Sequence, residues 1–370
     1  MKRFFGVSAV AVCVAAFMVL PGCGDSGKQE QSASSDGTAA APAPSAEKVT
    51  LNMTSVFPAS LSILGDSAVK FTKTVSEISG GTLELKFFEP GALVPGLEAI
   101  PAVSKGSVAT AWSSPGFFAG TDPTFSFFST TPFGASPTEF MAWMYYGGGM
   151  ELQDEMFAEH NVKAIPCQMI PPEASGWFRK EIKTVDDLKG LKMRFFGLGA
   201  KVMDKLGVAT QLLAPGDIFQ ALQLGTIDAT EFSMPSSDES FGFYQVAKYY
   251  YFPGWHQPAS YNDLFINMDV WNKLSPQHKR ILEVACGDSV RDGLARGDAA
   301  QAPAMRRMRD EHGVKIKYWS DDILAAYKKA WDEVVAEESA ANPNFKKVND
   351  SYAKFREEYA LWGKNGYLKQ

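Results

Sequence analysis

The chain has 370 residues, of which 45% are hydrophobic, and a formal net charge of −6 at pH 7. This length exceeds one ordinary hydrophobic core and fits two lobes. No basic run follows the extreme N-terminus, which argues against nucleic acid as a partner because phosphate binding needs clustered lysine and arginine.

The N-terminal segment has the layout of an export signal. A positively charged start precedes an apolar run over residues 4–20, and small residues then lead to Cys23. This order predicts a lipoprotein-type signal peptide over residues 1–22, cleaved before a lipidated Cys23 that anchors the protein to a bacterial membrane. A plain secretion signal and an uncleaved anchor are alternatives. All three place the mature protein outside the cytoplasm, in the periplasm.

A tether follows the signal. Residues 24–48 have no large apolar side chain and are rich in Ser, Ala, Pro and Gly. Such a segment cannot bury enough surface to fold, so a flexible tether is predicted over residues 23–48.

The body begins with alternating strands and helices. Strands are predicted over residues 49–56, 82–89 and 107–113, and helices over residues 64–78 and 95–105. This β-α-β-α-β order implies a mainly parallel sheet with helices on its faces.

Two distant stretches resemble each other. PGLEAIPAVSKGSVATAWSSP (95–115) and PGDIFQALQLGTIDATEFSMP (215–235) both read as Pro-Gly, a helix, a capping Gly, a strand and a Ser/Pro loop. Although chance similarity is an alternative, the match predicts an α/β, two-lobed periplasmic-binding-protein fold with crossover hinge strands. Ligands of such sheets lie beyond the C-terminal strand ends, which here carry Arg194, Glu231 and Trp112.

Glu231 is unusual within its predicted strand. Period two places it on the same face as Ile227 and Ala229, which read as buried. Because a buried charge is costly without a partner, Glu231 is expected to face a cation or a basic side chain.

The domain boundaries follow from these units. Residues 49–170 form lobe 1, completed by part of residues 258–318, and residues 171–257 form lobe 2. Residues 258–370 supply a crossover strand, a long helix and C-terminal helices.

The long helix has a clear predicted start. Ser275 is its cap and Pro276 its first residue, and it extends to about His312. Pro303 and several glycines inside it predict a bend or a break.

The last helix carries a heptad stripe of large side chains. Docking on the chain's own body and a homodimer contact are both compatible with it. The stripe comprises Phe345, Val348, Tyr352, Phe355, Tyr359 and Trp362.

Catalytic motifs are lacking in the sequence. The four histidines are not spaced for zinc, and there is no nucleophile elbow or Walker loop. A binding protein is therefore favoured over an enzyme.

Cys167 and Cys286 read as two separate buried thiols, with pairing as the alternative.

Four stretches together carry a resemblance to a known family. They are GWFRKEI from residue 176, DDLKGLKMRFFGLG from 186, ALQLGTIDATEF from 221 and KYYYFPGWH from 248. From about residue 49 on, the chain resembles the solute-binding subunits of tripartite ATP-independent periplasmic (TRAP) transporters. It is most similar to the branch that binds 2-oxo or 2-hydroxy monocarboxylates beside a metal ion.

The resemblance implies roles for particular residues. Arg194 would take the substrate carboxylate as a two-pronged pair. Glu173, Glu231–Phe232 and Gln257 would hold Na⁺ or Ca²⁺, with the Gln and Glu types exchanged relative to the branch. A direct pair between Glu231 and Arg194 without metal is the competing hypothesis.

Departures from the family pattern bear on the ligand. Phe232 replaces a Trp, Met169 an expected Asn, and Gly116–Phe117 a pair of tyrosines. An apolar wall of Phe57, Trp112, Phe117, Met169 and Phe232 would favour an apolar substrate tail larger than that of pyruvate.

The resulting hypothesis is a solute-binding protein that delivers a small organic acid to a membrane permease. Alternatives are a sensor module for a signalling receptor, a hydrolase or lyase using Glu173 and Glu231 as acid and base, and a structural lipoprotein without a ligand.

Overall fold

The computed structural model describes residues 48–368, so the predicted signal, Cys23 and all of the tether except Lys48 lie outside the described residues. The strands are β1 (Val49–Ser55), β2 (Leu83–Phe88), β3 (Thr110–Ser113), β4 (Val162–Ile170), β5 (Gly176–Phe178), β6 (Lys192–Arg194), β7 (Ala209–Gln211), β8 (Ala229–Thr230), β9 (Tyr249–Phe252), β10 (Ser260–Asn267) and β11 (Lys315–Tyr318).

The α-helices are α1 (Leu64–Ile78), α2 (Ala99–Ser104), α3 (Pro137–Tyr146), α4 (Gly149–Ala158), α5 (Leu198–Lys205), α6 (Ile218–Leu224), α7 (Pro235–Phe241), α8 (Met268–Lys273), α9 (Pro276–Asp310), α10 (Asp321–Ala341) and α11 (Pro343–Asn365). Short 3-10 helices lie at Gly96–Glu98, Pro115–Phe118, Pro123–Phe128, Val185–Leu188, Pro215–Asp217 and Phe243–Gln245.

Two sheets of equivalent topology define two lobes. The first has the order β2-β1-β3-β10-β4, and the second contains the matching series β7-β6-β8-β5-β9 with β11 added at its edge. In each, three parallel strands are followed by one antiparallel strand that enters from the other lobe, β10 or β5. The two-lobed fold is confirmed. The sheets are mixed and not mainly parallel, because the crossover strands run against their neighbours.

The two similar stretches occupy equivalent places. Each forms a 3-10 turn, then α2 or α6, then β3 or β8 in the third position of its sheet. Strand β8 is shorter than predicted, since only Ala229 and Thr230 pair with neighbours. In the part of residues 258–318 assigned to lobe 1, β10 joins the first sheet, whereas β11 joins the second.

Helix α9 is continuous through Pro303, so the predicted break is wrong. Ala304 and Met308 are buried beyond the proline, and their packing holds the helix where one backbone hydrogen bond is missing. Two of its glycines lie at close contacts with neighbouring elements. A Cβ at Gly293 would lie 3.0 Å from the carbonyl oxygen of Met169, and one at Gly297 would lie 2.7 Å from Cδ of Pro171.

We predict opposite effects for two alanine substitutions in this helix. Gly297→Ala places a methyl group against a rigid proline ring and is expected to destabilise the protein by about 1–3 kcal/mol. Gly287→Ala meets no atom within 4 Å and should stabilise it by about 0.5–1 kcal/mol through helix propensity. Urea unfolding of both variants measures the difference, and equal stabilities would contradict the close approach.

A disulfide joins Cys167 of β4 to Cys286 of α9 across 119 residues. The expectation of separate thiols is therefore wrong. The pairing could not be read from the sequence, because it depends on the packing of α9 along β4. This packing places the two fully buried cysteines next to each other. A cross-link of this span restricts the unfolded chain and stabilises the fold by about 2–5 kcal/mol.

Helix α11 docks on the body along most of its length and leaves its C-terminal end exposed. Phe345, Val348 and Tyr352 are buried, and the Tyr352 hydroxyl accepts a hydrogen bond from the Ala135 N–H at 2.7 Å. Trp362, at the end of the stripe, is 59% exposed. The docking interpretation thus holds for the stripe except at its exposed C-terminal end.

Candidate functional site

A cleft between the lobes collects the C-terminal ends of equivalent strands. Residues beyond β1 and β3 line it from the first lobe, and residues beyond β6 and β8 from the second. Its empty space, counted together with the open solvent at its mouth, is about 310 Å³. The lining residues are Phe57, Leu64, Ser114, Phe117, Ile170, Glu173, Arg194, Phe196, Phe232, Ser233, Gln257, Ser260 and Asn262.

Arg194 ends β6 and is 1% exposed. Its Nη1 donates to the Glu231 Oε1 at 2.6 Å and to the Glu231 backbone carbonyl at 2.9 Å. Within residues 48–368, Nε has no hydrogen-bond partner and Nη2 forms no bond. The Nε–Nη2 edge of the guanidinium is thus free, and this edge matches the two oxygens of a carboxylate.

Glu231 is fully buried and has one engaged and one free oxygen. Oε1 accepts from Arg194 and from the Phe196 N–H, both at 2.6 Å. Oε2 has no hydrogen-bond partner among the described residues, and the Nε2 of His256 lies 3.4 Å from it. The direct pair with Arg194 therefore exists, and a second acceptor is left over on the same carboxylate.

Glu173 and Gln257 belong to the two crossover segments that connect the lobes. The segments are joined by the Glu173 N–H, which donates to the Gln257 carbonyl at 3.2 Å. Glu173 Oε1 accepts from the Ser233 hydroxyl at 3.1 Å, whereas Glu173 Oε2 and Gln257 Oε1 are buried without a partner in the described chain. Burial, reinforced by the charge of Glu231, raises the pKa of Glu173 well above its usual value.

His256 was not predicted as a site residue. It is 1% exposed, and its Nε2 lies 3.4 Å from Glu231 Oε2 and 3.9 Å from Glu173 Oε2. One ligand atom from each of these three residues lies within 4.8 Å of the other two. Sequence spacing could not indicate this, because the three residues come from separate segments.

These unpartnered atoms fit a cation. Three buried oxygens, on Glu173, Glu231 and Gln257, lack a donor, which is costly unless a positive charge faces them. Carboxylate and amide oxygens are the ligands that Na⁺ and Ca²⁺ prefer.

A second layer of polar groups supports Glu173. Asp238 accepts from Trp177 Nε1 and from the Tyr250 hydroxyl, both at 2.8 Å, and from the Ser233 N–H at 3.1 Å. Burial raises the pKa of Asp238 to about 7. Asp238 thereby fixes Ser233, whose hydroxyl bonds Glu173.

The predicted apolar wall is partly wrong. Phe57, Phe117 and Phe232 line the cleft, but Trp112 and Met169 do not. The indole of Trp112 packs against Phe71, 5.5 Å between ring centroids, and donates to the Leu64 carbonyl at 3.2 Å. Met169 is also fully buried, because alternate residues of β4 face opposite sides and Ile170 is the one that reaches the cleft.

Phe196 completes the wall from the second lobe. Its ring centroid lies 4.7 Å from that of Phe117 in the first lobe. A Cβ at Gly116 would lie 2.3 Å from Cζ of Phe196, so the ring occupies the space that a larger residue would need. The lobes are in contact across the cleft at this point. Ser114, Ser260 and Asn262 add polar groups that sequence analysis did not identify.

A buried, convergent charge set between two similar lobes defines a solute-binding protein. The family model for bacterial extracellular solute-binding protein, family 7 (DctP) matches residues 54–342, and the chain belongs to this family. Among residues 48–368, no helix has both the length and the apolar character to cross a membrane.

Characterised relatives agree with this assignment. A monocarboxylate 2-oxoacid-binding periplasmic protein of Nostoc sp. is 35% identical over 313 residues, which are 84% of this chain and 85% of that protein. This match gives no support to the sensor, hydrolase or structural alternatives.

Two crystal structures share the fold. A TRAP transporter solute-binding protein from Bordetella bronchiseptica RB50, a mixed-occupancy dimer with copurified calcium and picolinate, has a TM-score of 0.84 and 34% identity, covering 86% of this chain and 94% of that one. A TRAP periplasmic solute-binding protein from Pseudoalteromonas atlantica T6c with bound sodium and pyruvate has a TM-score of 0.83 and 31% identity, covering 86% and 97%.

Proposed function

We propose that this chain binds a small 2-oxo or 2-hydroxy monocarboxylate together with Na⁺ or Ca²⁺ and delivers it to a TRAP membrane permease. The observation that carries the proposal is the free Nε–Nη2 edge of Arg194 beside an unpartnered carboxylate oxygen of Glu231. The guanidinium edge receives the substrate carboxylate, while Glu231, which itself accepts from the Phe196 N–H, holds the guanidinium in place.

The cation would be held by the unpartnered oxygens of Glu173, Glu231 and Gln257, next to Phe232. When bound, it neutralises the buried carboxylates and attracts the oxygen atoms of the substrate. The two crossover segments carry Glu173 and Gln257, so cation binding stabilises a particular arrangement of the hinge. Domain closure around the ligand then follows the usual mode of two-lobed binding proteins.

Native mass spectrometry of protein purified without added ligand tests this proposal. The expected spectrum contains one organic acid of low mass and one Na⁺ or Ca²⁺ per chain. A ligand-free, metal-free protein that also fails to bind pyruvate with either cation would contradict it.

The apolar wall favours a substrate with a longer tail than pyruvate. Each additional methylene buried against Phe57, Phe117 and Phe196 adds about 0.8 kcal/mol, which is roughly fourfold in affinity. We predict that the thermal stabilisation by straight-chain 2-oxo acids increases from three carbons to at least five. The measurement is a thermal-shift titration, and a strict preference for pyruvate would refute the prediction.

We further propose that Cys23 is lipidated and holds the protein at a bacterial membrane on the 23–48 tether. The expected result is that wild-type protein fractionates with membranes and that Cys23→Ser is released into the soluble periplasmic fraction. Equal fractionation of both proteins would contradict the anchor.

A homodimer through the end of α11 is proposed as well. The supporting observation is a group of exposed apolar side chains there, Leu361, Trp362, Tyr367 and Leu368. The same native mass spectrum reports the oligomeric state. Trp362→Glu is expected to convert the dimer to a monomer without loss of ligand.

A further inference from the structure

An amide relay crosses the first lobe behind the cleft. Gln168 Nε2 donates to the Ile63 backbone carbonyl at 2.5 Å, and Asn262 Nδ2 donates to Gln168 Oε1 at 2.8 Å. Gln168 on β4 and Asn262 on β10 are opposite each other in the sheet. We call the Ile63 carbonyl, Gln168 and Asn262 the amide relay.

The orientation of both amides is determined by the end of the relay. A backbone carbonyl can only accept, so Gln168 must present its nitrogen to Ile63 and its oxygen to Asn262. Asn262 must then present its nitrogen to Gln168. Its Oδ1 is left for the cleft, which Asn262 lines, and no described residue donates to this oxygen.

The start of the relay is held under strain. Ile63 has φ 68°, a left-handed conformation that is rare for a β-branched residue. Strained residues of this kind persist where the surroundings enforce them and are concentrated at functional sites. Gln168 is confined as well, because α9 approaches so closely that a Cβ at Gly293 would lie 2.9 Å from its Cγ.

The two walls of the cleft therefore differ in hydrogen-bonding character. The second lobe offers donors through Arg194, whereas Asn262 on the first lobe offers a fixed acceptor. Ser114 is less selective, because its hydroxyl is shared with the Ser129 hydroxyl at 2.7 Å and with the Tyr261 carbonyl at 3.2 Å. A substrate with only acceptors and methyl groups would leave the Asn262 oxygen unpaired in a nearly closed site.

We propose that Asn262 is a specificity-determining residue, and that the preferred substrate carries a hydroxyl or N–H donor on the tail that faces the first lobe. This inference rests on the proposed function and narrows its substrate class. The tail remains mainly apolar, with one donor that bonds Asn262 Oδ1. An acid with the donor binds about tenfold more tightly than the same acid with a methyl group in its place.

The test uses matched pairs of acids that differ by hydroxyl against terminal methyl. Suitable pairs are 3-hydroxypyruvate with 2-oxobutyrate, 4-hydroxy-2-oxobutyrate with 2-oxovalerate, and glycerate with 2-hydroxybutyrate. Calorimetric titration of the full chain, with calcium and separately with sodium, gives an affinity ratio for each pair. At least one ratio is expected to favour the hydroxyl member about tenfold.

The variant Asn262→Leu tests whether Asn262 is the cause of a preference for the hydroxyl member of a pair. Its hydroxyl-to-methyl ratio is expected to fall to about one, while the affinity for the methyl member is kept or increased. Gln168→Leu, which frees the Asn262 amide to rotate, should reduce the ratio partly and gives a second measurement if Asn262→Leu does not fold.

Three outcomes would overturn the inference. In the first, wild-type protein binds the acids but no pair favours the hydroxyl member, which leaves the proposed function intact. In the second, Asn262→Leu keeps the wild-type ratio. In the third, no acid binds with either cation, and then the proposed function fails together with the inference.

Discussion

Replacing Arg194 with lysine is expected to weaken binding of the organic acid by about 10²–10⁴-fold. Lysine keeps the positive charge beside Glu231 but has no planar edge with two N–H groups. Two charge-assisted hydrogen bonds to the substrate carboxylate are lost, each worth about 1.5–3 kcal/mol, and every 1.4 kcal/mol is a factor of ten. Calorimetric titration with a 2-oxo acid in the presence of calcium measures the change.

The matched control is Arg179→Lys, on an exposed arginine that follows β5 outside the cleft. It should bind with wild-type affinity. Lysine at position 194 still pairs with Glu231. The melting temperature of Arg194→Lys should therefore change only slightly, although its affinity for the acid falls strongly. An Arg194→Lys variant that binds within threefold of wild type would show that the carboxylate is held elsewhere.

The two-lobed fold could be predicted because its signals are local. The repeated unit at residues 95–115 and 215–235 indicated two equivalent strands, and these are β3 and β8. The cap at Ser275 correctly marked the start of α9, since its hydroxyl accepts from a backbone N–H three residues on.

Features that depend on contact between distant elements were not predictable. The disulfide requires that α9 lie along β4, and the close approaches at Gly293 and Gly297 of α9 likewise depend on the elements packed against this helix. The continuity of α9 through Pro303 likewise depends on tertiary packing, which overrides local propensity.

The residues of the site also fall into those that the sequence could indicate and those that it could not. Glu231 could be singled out because a charged side chain at the end of a buried strand demands a partner, whereas the role expected of Arg194 came from the family resemblance. Trp112 was expected at the cleft from its place at a strand end and Met169 from the resemblance, and neither argument tells which face of the strand meets the cleft. His256 and Asn262 had no sequence signal for a binding role, since their neighbours in space come from Glu173 and Gln168 on other segments.

Replacing Glu231 with glutamine should both destabilise the fold and abolish cation dependence. The guanidinium of Arg194 is then buried without its counter-charge, which costs about 3–5 kcal/mol. Urea unfolding in a calcium-chelating buffer measures this loss. Calcium, which stabilises the wild type through binding to the folded state, should no longer raise the unfolding midpoint.

Glu173→Gln is the control that separates the two effects. Burial raises the pKa of Glu173, so the carboxyl is held towards its neutral form, and that form is mimicked by glutamine. When the pKa of an acid is raised in the folded state, the protein loses stability as the pH rises above the pKa of that acid in the unfolded chain. At pH 7 and without calcium, Glu173→Gln should therefore be neutral or stabilising. It should still abolish the stabilisation by calcium. If both variants lose equal stability in the chelating buffer, Glu231 has no special pairing with Arg194; if both still respond to calcium, the ion binds elsewhere.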